Sequence, residues 1–137
     1  MSLDVAVGDV VAERTFSLTR DSLVRYAGAS GDFNPIHYRD DVVAPPTFPV
    51  VVQEATLAQL LAEPDGGIDF SRVVHGEQAF SYTRPIVAGD ELVATLAVTS
   101  IKTLGGNSMV TAESTMVDAS GAHVVTATST LVVRGDA

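Results

Sequence analysis

Residues 50–62, VVVQEATLAQLLA, constrain the fold more than any other stretch of this chain. The length suits a helix, yet polar side chains occur only at Gln53, Glu54, Thr56 and Gln59. A helix this apolar has no full face to give to water, so other elements must cover it on most sides. EPDGG at 63–67 stops it.

The remainder of the chain supplies the cover. RVVHGEQAFSYTRPI (72–86), ELVATLAVTSIKT (91–103), NSMVTAESTMVDA (107–119) and AHVVTATSTLVVR (122–134) are rich in Val, Thr and Ile and alternate, imperfectly, with period two. Turn signals separate them: VAGD at 87–90, LGGN at 104–107 and DASG at 118–121. Upstream, residues 7–18 read as extended. Thr19 then has the character of an N-cap, with Asp21 and Ser22 in the first turn. Leu23, Val24, Tyr26 and Ala27 give a short helix one apolar face, and Gly28 with Gly31 ends it.

Strand, helix, loop, buried helix and four antiparallel strands make an α+β chain. One domain over 1–137, a curved antiparallel sheet wrapped around the apolar helix, is the simplest way to bury both. The sheet edges still need protection, and pairing two sheets edge to edge in a dimer would remove one. Apolar residues make up 46% of the chain and charged residues 18%. That balance also favours a buried subunit interface.

Composition excludes several function classes. There are no cysteines, so disulfides, thiolate metal sites and cysteine nucleophiles are absent together. A net charge of −9 with eight scattered Lys and Arg argues against a nucleic-acid surface. No apolar run is long enough to span a membrane, and the start MSLDVAVGDV lacks the pattern of a secretory signal. A cytoplasmic location is the expectation.

Chemistry concentrates in GASGDFNPIHYRDDVVAPPTFP, residues 28–49. Asp32 and His37 place a carboxylate and an imidazole five residues apart in a loop, where both can face one water. One group can take a proton while the other delivers one. GDFNP is equally good turn chemistry: Asn34 before Pro35 is held extended, and Asp32 can cap backbone N–H groups. The spacing leaves both readings open. His37 with Asp40 and Asp41 offers metal donors, but no second histidine stands at ligand spacing, so no metal is expected.

GDFNPIH resembles the D-x-N-P-x-H signature of the MaoC-like, R-specific enoyl-thioester hydratases (3-hydroxyacyl dehydratases) of the hotdog superfamily. GEQAFSYTRPIVAGDEL is similar to that family's strand, turn and strand around P-V-x-x-G-D, and the likeness covers nearly the whole chain. It implies a hotdog fold and reversible syn hydration of a trans-2-enoyl thioester to an (R)-3-hydroxyacyl thioester. Asp32 would hold and deprotonate the water, His37 would handle the second proton, and Asn34 would orient the water or the pair. No cofactor is implied; the acyl group would arrive on coenzyme A or an acyl carrier protein. The resemblance also implies a homodimer, a heterodimer with a related hotdog subunit, or a higher oligomer.

The chain departs from the family where the buried helix begins. Many relatives have A-H-G there, and the glycine N–H meets the thioester oxygen. Here Ala44, Pro45 and Pro46 stand instead, and a proline has no N–H to give. The N–H of Thr47 or Phe48 is the nearest substitute, because first-turn donors have no helical acceptor. VVAPPTF resembles the helix start of non-catalytic subunits in heterodimeric fatty-acid-synthesis dehydratases, although this chain keeps the catalytic signature. The junction from His37 to Ala44 is also shorter than the family's usual helix and turn. A non-catalytic acyl-binding partner subunit is therefore the alternative reading. A thioesterase is a weaker one, for which Glu54 on the buried helix would be the carboxylate.

Other candidates attract blander expectations. His75 lies in a strand pattern as a partly buried structural or interface histidine, and His123 starts a strand as an exposed one. Arg84 and Pro85 mark a sheet edge or bulge. No G-x-S-x-G elbow is present, and the glycines at 105 and 106 lack the strand-to-helix setting of a nucleotide loop. The helix at 50–61 is core, with part of it a candidate lining for an acyl tunnel.

Overall fold

The computed structural model describes residues 7, 8, 10–62 and 72–135. The elements run β1 (Val10–Ser17), α1 (Arg20–Ser30), a short 3-10 helix (Pro35–His37), α2 (Pro49–Ala62), β2 (Val73–Tyr82), β3 (Glu91–Leu104), β4 (Asn107–Val117) and β5 (His123–Val133). Among the described residues all five strands join one antiparallel sheet in the order β1-β3-β4-β5-β2, with β1 and β2 at its edges. This is the curved-sheet, α+β hotdog architecture that the sequence implied.

Alternation decides which face meets α2. In β3 the side chains of Leu92, Ala94, Leu96 and Val98 are buried while their neighbours are not; Val110, Ala112, Ser114 and Met116 do the same in β4. Several of these inward residues are small, as are Ala127 and Ser129 of β5, which lets the helix approach the sheet closely. Phe48, Val52 and Leu57 fill the space between, and Leu23 and Ile86 extend the core towards α1. Among the described residues no helix is long and apolar enough to cross a membrane.

The polar positions of α2 divide in an unexpected way. Glu54 is exposed, but Gln53 and Thr56 are fully buried. The Gln53 amide donates to the carbonyls of Ala112 and Ala127, at 3.3 and 3.0 Å. Its oxygen accepts from Gln78 Nε2 at 2.8 Å and from Ser129 Oγ at 2.6 Å. A fully bonded amide can lie in a core because none of its groups loses hydration without replacement. Gln59 and the stop signal at 63–67 carry no described side-chain structure.

The expected burial of two histidines needs correction. His75 is exposed, lying 3.0 Å from Gln78 Oε1, because β2 is an edge strand with few neighbours. His123 is instead half-buried, between Thr83 Oγ1 at 2.6 Å and Thr126 Oγ1 at 2.7 Å. The bulge in β2 falls at His75/Glu77, while Arg84 and Pro85 lie just past the strand's end.

Candidate active site

A helix terminus delivers Asp32. Thr19 caps the start of α1, its Oγ1 accepting from the Ser22 N–H at 3.2 Å. The helix runs through Gly28 and ends where Gly31 enters the left-handed region at φ 76°, a conformation glycine adopts without penalty. The Gly31 N–H bonds the Gly28 carbonyl, and the Asp32 N–H bonds the Ala27 carbonyl at 2.9 Å. This is the paired closure of a Schellman end, so the helix stop itself sets the Asp32 backbone. The Tyr38 hydroxyl donates to the Asp32 carbonyl at 2.8 Å and ties the loop back on itself.

The turn chemistry then carries the chain to His37. Asp32 Oδ1 accepts the Asn34 N–H at 3.2 Å, and Asn34 Oδ1 accepts the Ile36 N–H at 3.2 Å. Asn34 thus caps the 3-10 helix, with Pro35 at its start and His37 at its end. The turn bonds expected of GDFNPIH are made, and they are the means by which the carboxylate and the imidazole are brought together. Asn34 is itself exposed and acts on the backbone that carries His37.

His37 is 2% exposed, and both ring nitrogens are engaged. Nδ1 lies 2.6 Å from the Val43 carbonyl, and Nε2 lies 3.0 Å from Asp32 Oδ2. A carbonyl only accepts, so Nδ1 carries a proton. The Nε2–Oδ2 contact then needs one more, held either as imidazolium and carboxylate or as neutral imidazole and carboxylic acid. The pair can pass that proton along a line fixed by the backbone. Asp32 Oδ1 is bound to the loop, and the Asp32 side chain is 36% exposed, so solvent reaches one partner only.

The short junction after His37 is what anchors it. The Val43 N–H bonds the Ile36 carbonyl, Ala44 bonds Ile86, and Ala88 bonds Val42, while Val43 bridges to Val87. Arg20 of α1 clamps the same segment through the carbonyls of Tyr38 and Arg39, at 2.6 and 3.1 Å. Asp41 turns away to Arg39 at 3.3 Å, and Asp40 is exposed, so neither joins His37 as a ligand set.

An open groove of about 300 Å³ lies beside His37. Ile36, Val43, Ala44, Pro46, Tyr82 and Pro85 line it, so the lining is chiefly apolar. The groove lies at the end of β2, where Tyr82 closes the strand. Arg84 shapes its lip: Nη1 and Nη2 grip the Asp90 carboxylate at 2.8 and 3.1 Å, and Nη2 reaches Asp118 at 3.4 Å. The Asp90 bond, helped by Asp118, raises the guanidinium's proton affinity further. The Ser120 hydroxyl, then backbone N–H groups and Arg84, hold the Asp118 carboxyl below its usual range. The sequence reading missed this fork, although an Arg before Pro85 and an Asp closing the next turn were its visible signal.

The two backbone donors expected at the helix start differ. The Phe48 N–H is engaged by the Pro45 carbonyl at 2.9 Å, whereas the Thr47 N–H meets no acceptor among the described residues. The prolines explain this: they set the turn that occupies Phe48, and Pro49 brings no N–H to the start of α2.

Comparison with known proteins agrees with the fold and with the family resemblance. Residues 5–127 match the family described as FAS1-like, dehydratase domain region. A UPF0336 protein of Clavibacter michiganensis subsp. michiganensis is 63% identical, the match covering 91% of this chain and 90% of that one. A solved MaoC-like dehydratase is 28% identical with a TM-score of 0.80, over 93% of this chain and 43% of that one. The C-terminally truncated HadBC (3R-hydroxyacyl-ACP dehydratase) complex of Mycobacterium tuberculosis gives a TM-score of 0.77 at 24% identity, over 87% of this chain and 90% of that one.

Proposed function

The chain belongs to the FAS1-like dehydratase-region family, and from that premise we propose that it reversibly hydrates trans-2-enoyl thioesters to (R)-3-hydroxyacyl thioesters. The observation that carries this reading is the Asp32–His37 contact of 3.0 Å, with a buried ring anchored on Val43 and opening on an apolar groove. Starting from carboxylate and imidazolium, Asp32 takes a proton from water as its oxygen bonds to C3 of the substrate. His37 gives its Nε2 proton to C2, and the π electrons of the double bond move through an enolate-like thioester. One proton remains on the pair, now on Asp32, and crosses the 3.0 Å contact to restore the starting state.

Negative charge grows on the thioester oxygen as C3 is attacked, and an aimed N–H stabilises it more in the transition state than in the ground state. The Thr47 N–H, which meets no acceptor among the described residues, is that donor; Phe48 backs it by packing and not by its own N–H. Asn34 supports the pair through the loop. The acyl chain occupies the groove, carried by coenzyme A or an acyl carrier protein. A second hotdog subunit, identical or related, covers one of the two sheet edges, β1 or β2. No further cofactor enters this chemistry.

The test mixes the purified protein with a trans-2-enoyl-CoA and follows loss of the conjugated double bond and, separately, release of free thiol. Double-bond loss by the wild type, reduced about 10²–10⁴-fold in Asp32→Asn, is expected. Hydration that survives in Asp32→Asn would sink the base assignment. Thiol release without hydration would point to a thioesterase, and activity only after a second subunit is added would point to a partner role.

A further inference from the structure

Thr47 is asked to hold an oxyanion, and two tyrosines grip the peptide that carries its N–H. The Pro46 carbonyl and the Thr47 N–H belong to one planar trans unit and point in opposite directions. The Tyr82 hydroxyl, from the end of edge strand β2, donates to that carbonyl at 2.6 Å. One atom group further on, the Tyr26 hydroxyl of α1 lies 2.7 Å from Thr47 Oγ1. Tyr26 is held in turn by an edge-to-face contact with Phe48, ring centroids 5.3 Å apart at 89°.

Stability alone does not explain the Tyr82 bond. Pro46 is exposed and Tyr82 is 38% exposed, so water could serve the carbonyl if the tyrosine left. A short bond from a fixed hydroxyl adds orientation that water would not. It also polarises the peptide, making the opposite N–H a better donor. Partial burial, and secondarily the nearby Tyr26 phenol, push the Tyr82 hydroxyl up to about 12, so it stays protonated and donating at neutral pH.

We propose that Tyr82 is a positioning residue which, with Tyr26, aims the Thr47 N–H at the thioester oxygen; this rests on the hydratase reading above. Tyr82 also lines the groove beside His37, so one side chain would both bound the acyl site and set its oxyanion donor. The effect should therefore appear in the chemical step more than in binding.

Tyr82→Phe and Tyr26→Phe keep the rings and remove the hydroxyls, and each is assayed for kcat and KM with a trans-2-enoyl-CoA. In Tyr82→Phe, kcat should fall about ten- to a hundredfold with KM changed less than about threefold. A smaller fall of the same kind is expected for Tyr26→Phe. In an Asp32→Asn background, bound 2,4-hexadienoyl-CoA reports carbonyl polarisation as a red shift in its absorption, and Tyr82→Phe should diminish that shift. Either folded variant that keeps both kcat and the full red shift overturns the clamp. A rise in KM with kcat unchanged overturns it too, because Tyr82 would then be only a wall. A wild type without hydration or red shift removes the functional reading and the clamp together, so the two failures are distinct.

Discussion

His37 lies 3.0 Å from Asp32, and His75 lies 3.6 Å from Glu54, so the chain offers the same two functional groups twice. Their settings differ. The His37 side chain is 3% exposed and its second nitrogen is fixed by a backbone carbonyl; that of His75 is 36% exposed, and its second nitrogen meets the Gln78 side chain on an edge strand. The first ring has one orientation because α1, the 3-10 helix and the junction to Val43 converge on it. The second can trade either partner for water at little cost. The residue types are the same; burial, anchoring and an adjacent groove set the His37 pair apart.

The sharpest way to break this contrast is to treat both histidines alike. His37→Gln should lower hydration by about 10²–10⁴-fold, whereas His75→Gln should leave kcat within about twofold. Parallel kinetics on the two variants check this, and a large loss in His75→Gln would move attention to the Glu54 pair. An intermediate effect is expected at the groove lip. Arg84→Met strips Asp90 of its bidentate partner and should cost about 1–3 kcal/mol in urea unfolding, with a smaller loss of kcat than at His37.

The smallest effect concerns pH. Asp118 has its pKa lowered in the folded state, so its contribution to stability is present above the ordinary carboxylate range and is lost as pH falls through the lowered value. Asp118→Asn should therefore be less stable than the wild type near pH 7, and the gap should close below about pH 4. Unfolding curves at both pH values measure it. A gap unchanged in acid would mean that the substitution acts through shape and not through charge.

Much of the site was readable because its rules are local. Thr19 as a cap, Gly31 as a stop and the Asx bonds of GDFNP depend on atoms within a few residues, so sequence carries them almost completely. Asp32 and His37 fall within the same short span, and their meeting follows from those turns. Arg84 and Gln53 were harder. The partners of Arg84 lie across two turns, and Gln53 finds carbonyls on β4 and β5 that no spacing rule relates to position 53.

By itself the sequence determined the order of elements, the wrapping of an apolar helix by a period-two sheet, and the carboxylate–imidazole loop. Each is written in short-range pattern and in the need to bury apolar faces. The tertiary structure decided which nitrogen of His37 faces Asp32, that the groove opens by β2, and that among the described residues the Phe48 N–H finds an acceptor and the Thr47 N–H does not. Those outcomes turn on distances of a few tenths of an ångström between segments far apart in the chain, where hydrogen bonds are either made or lost.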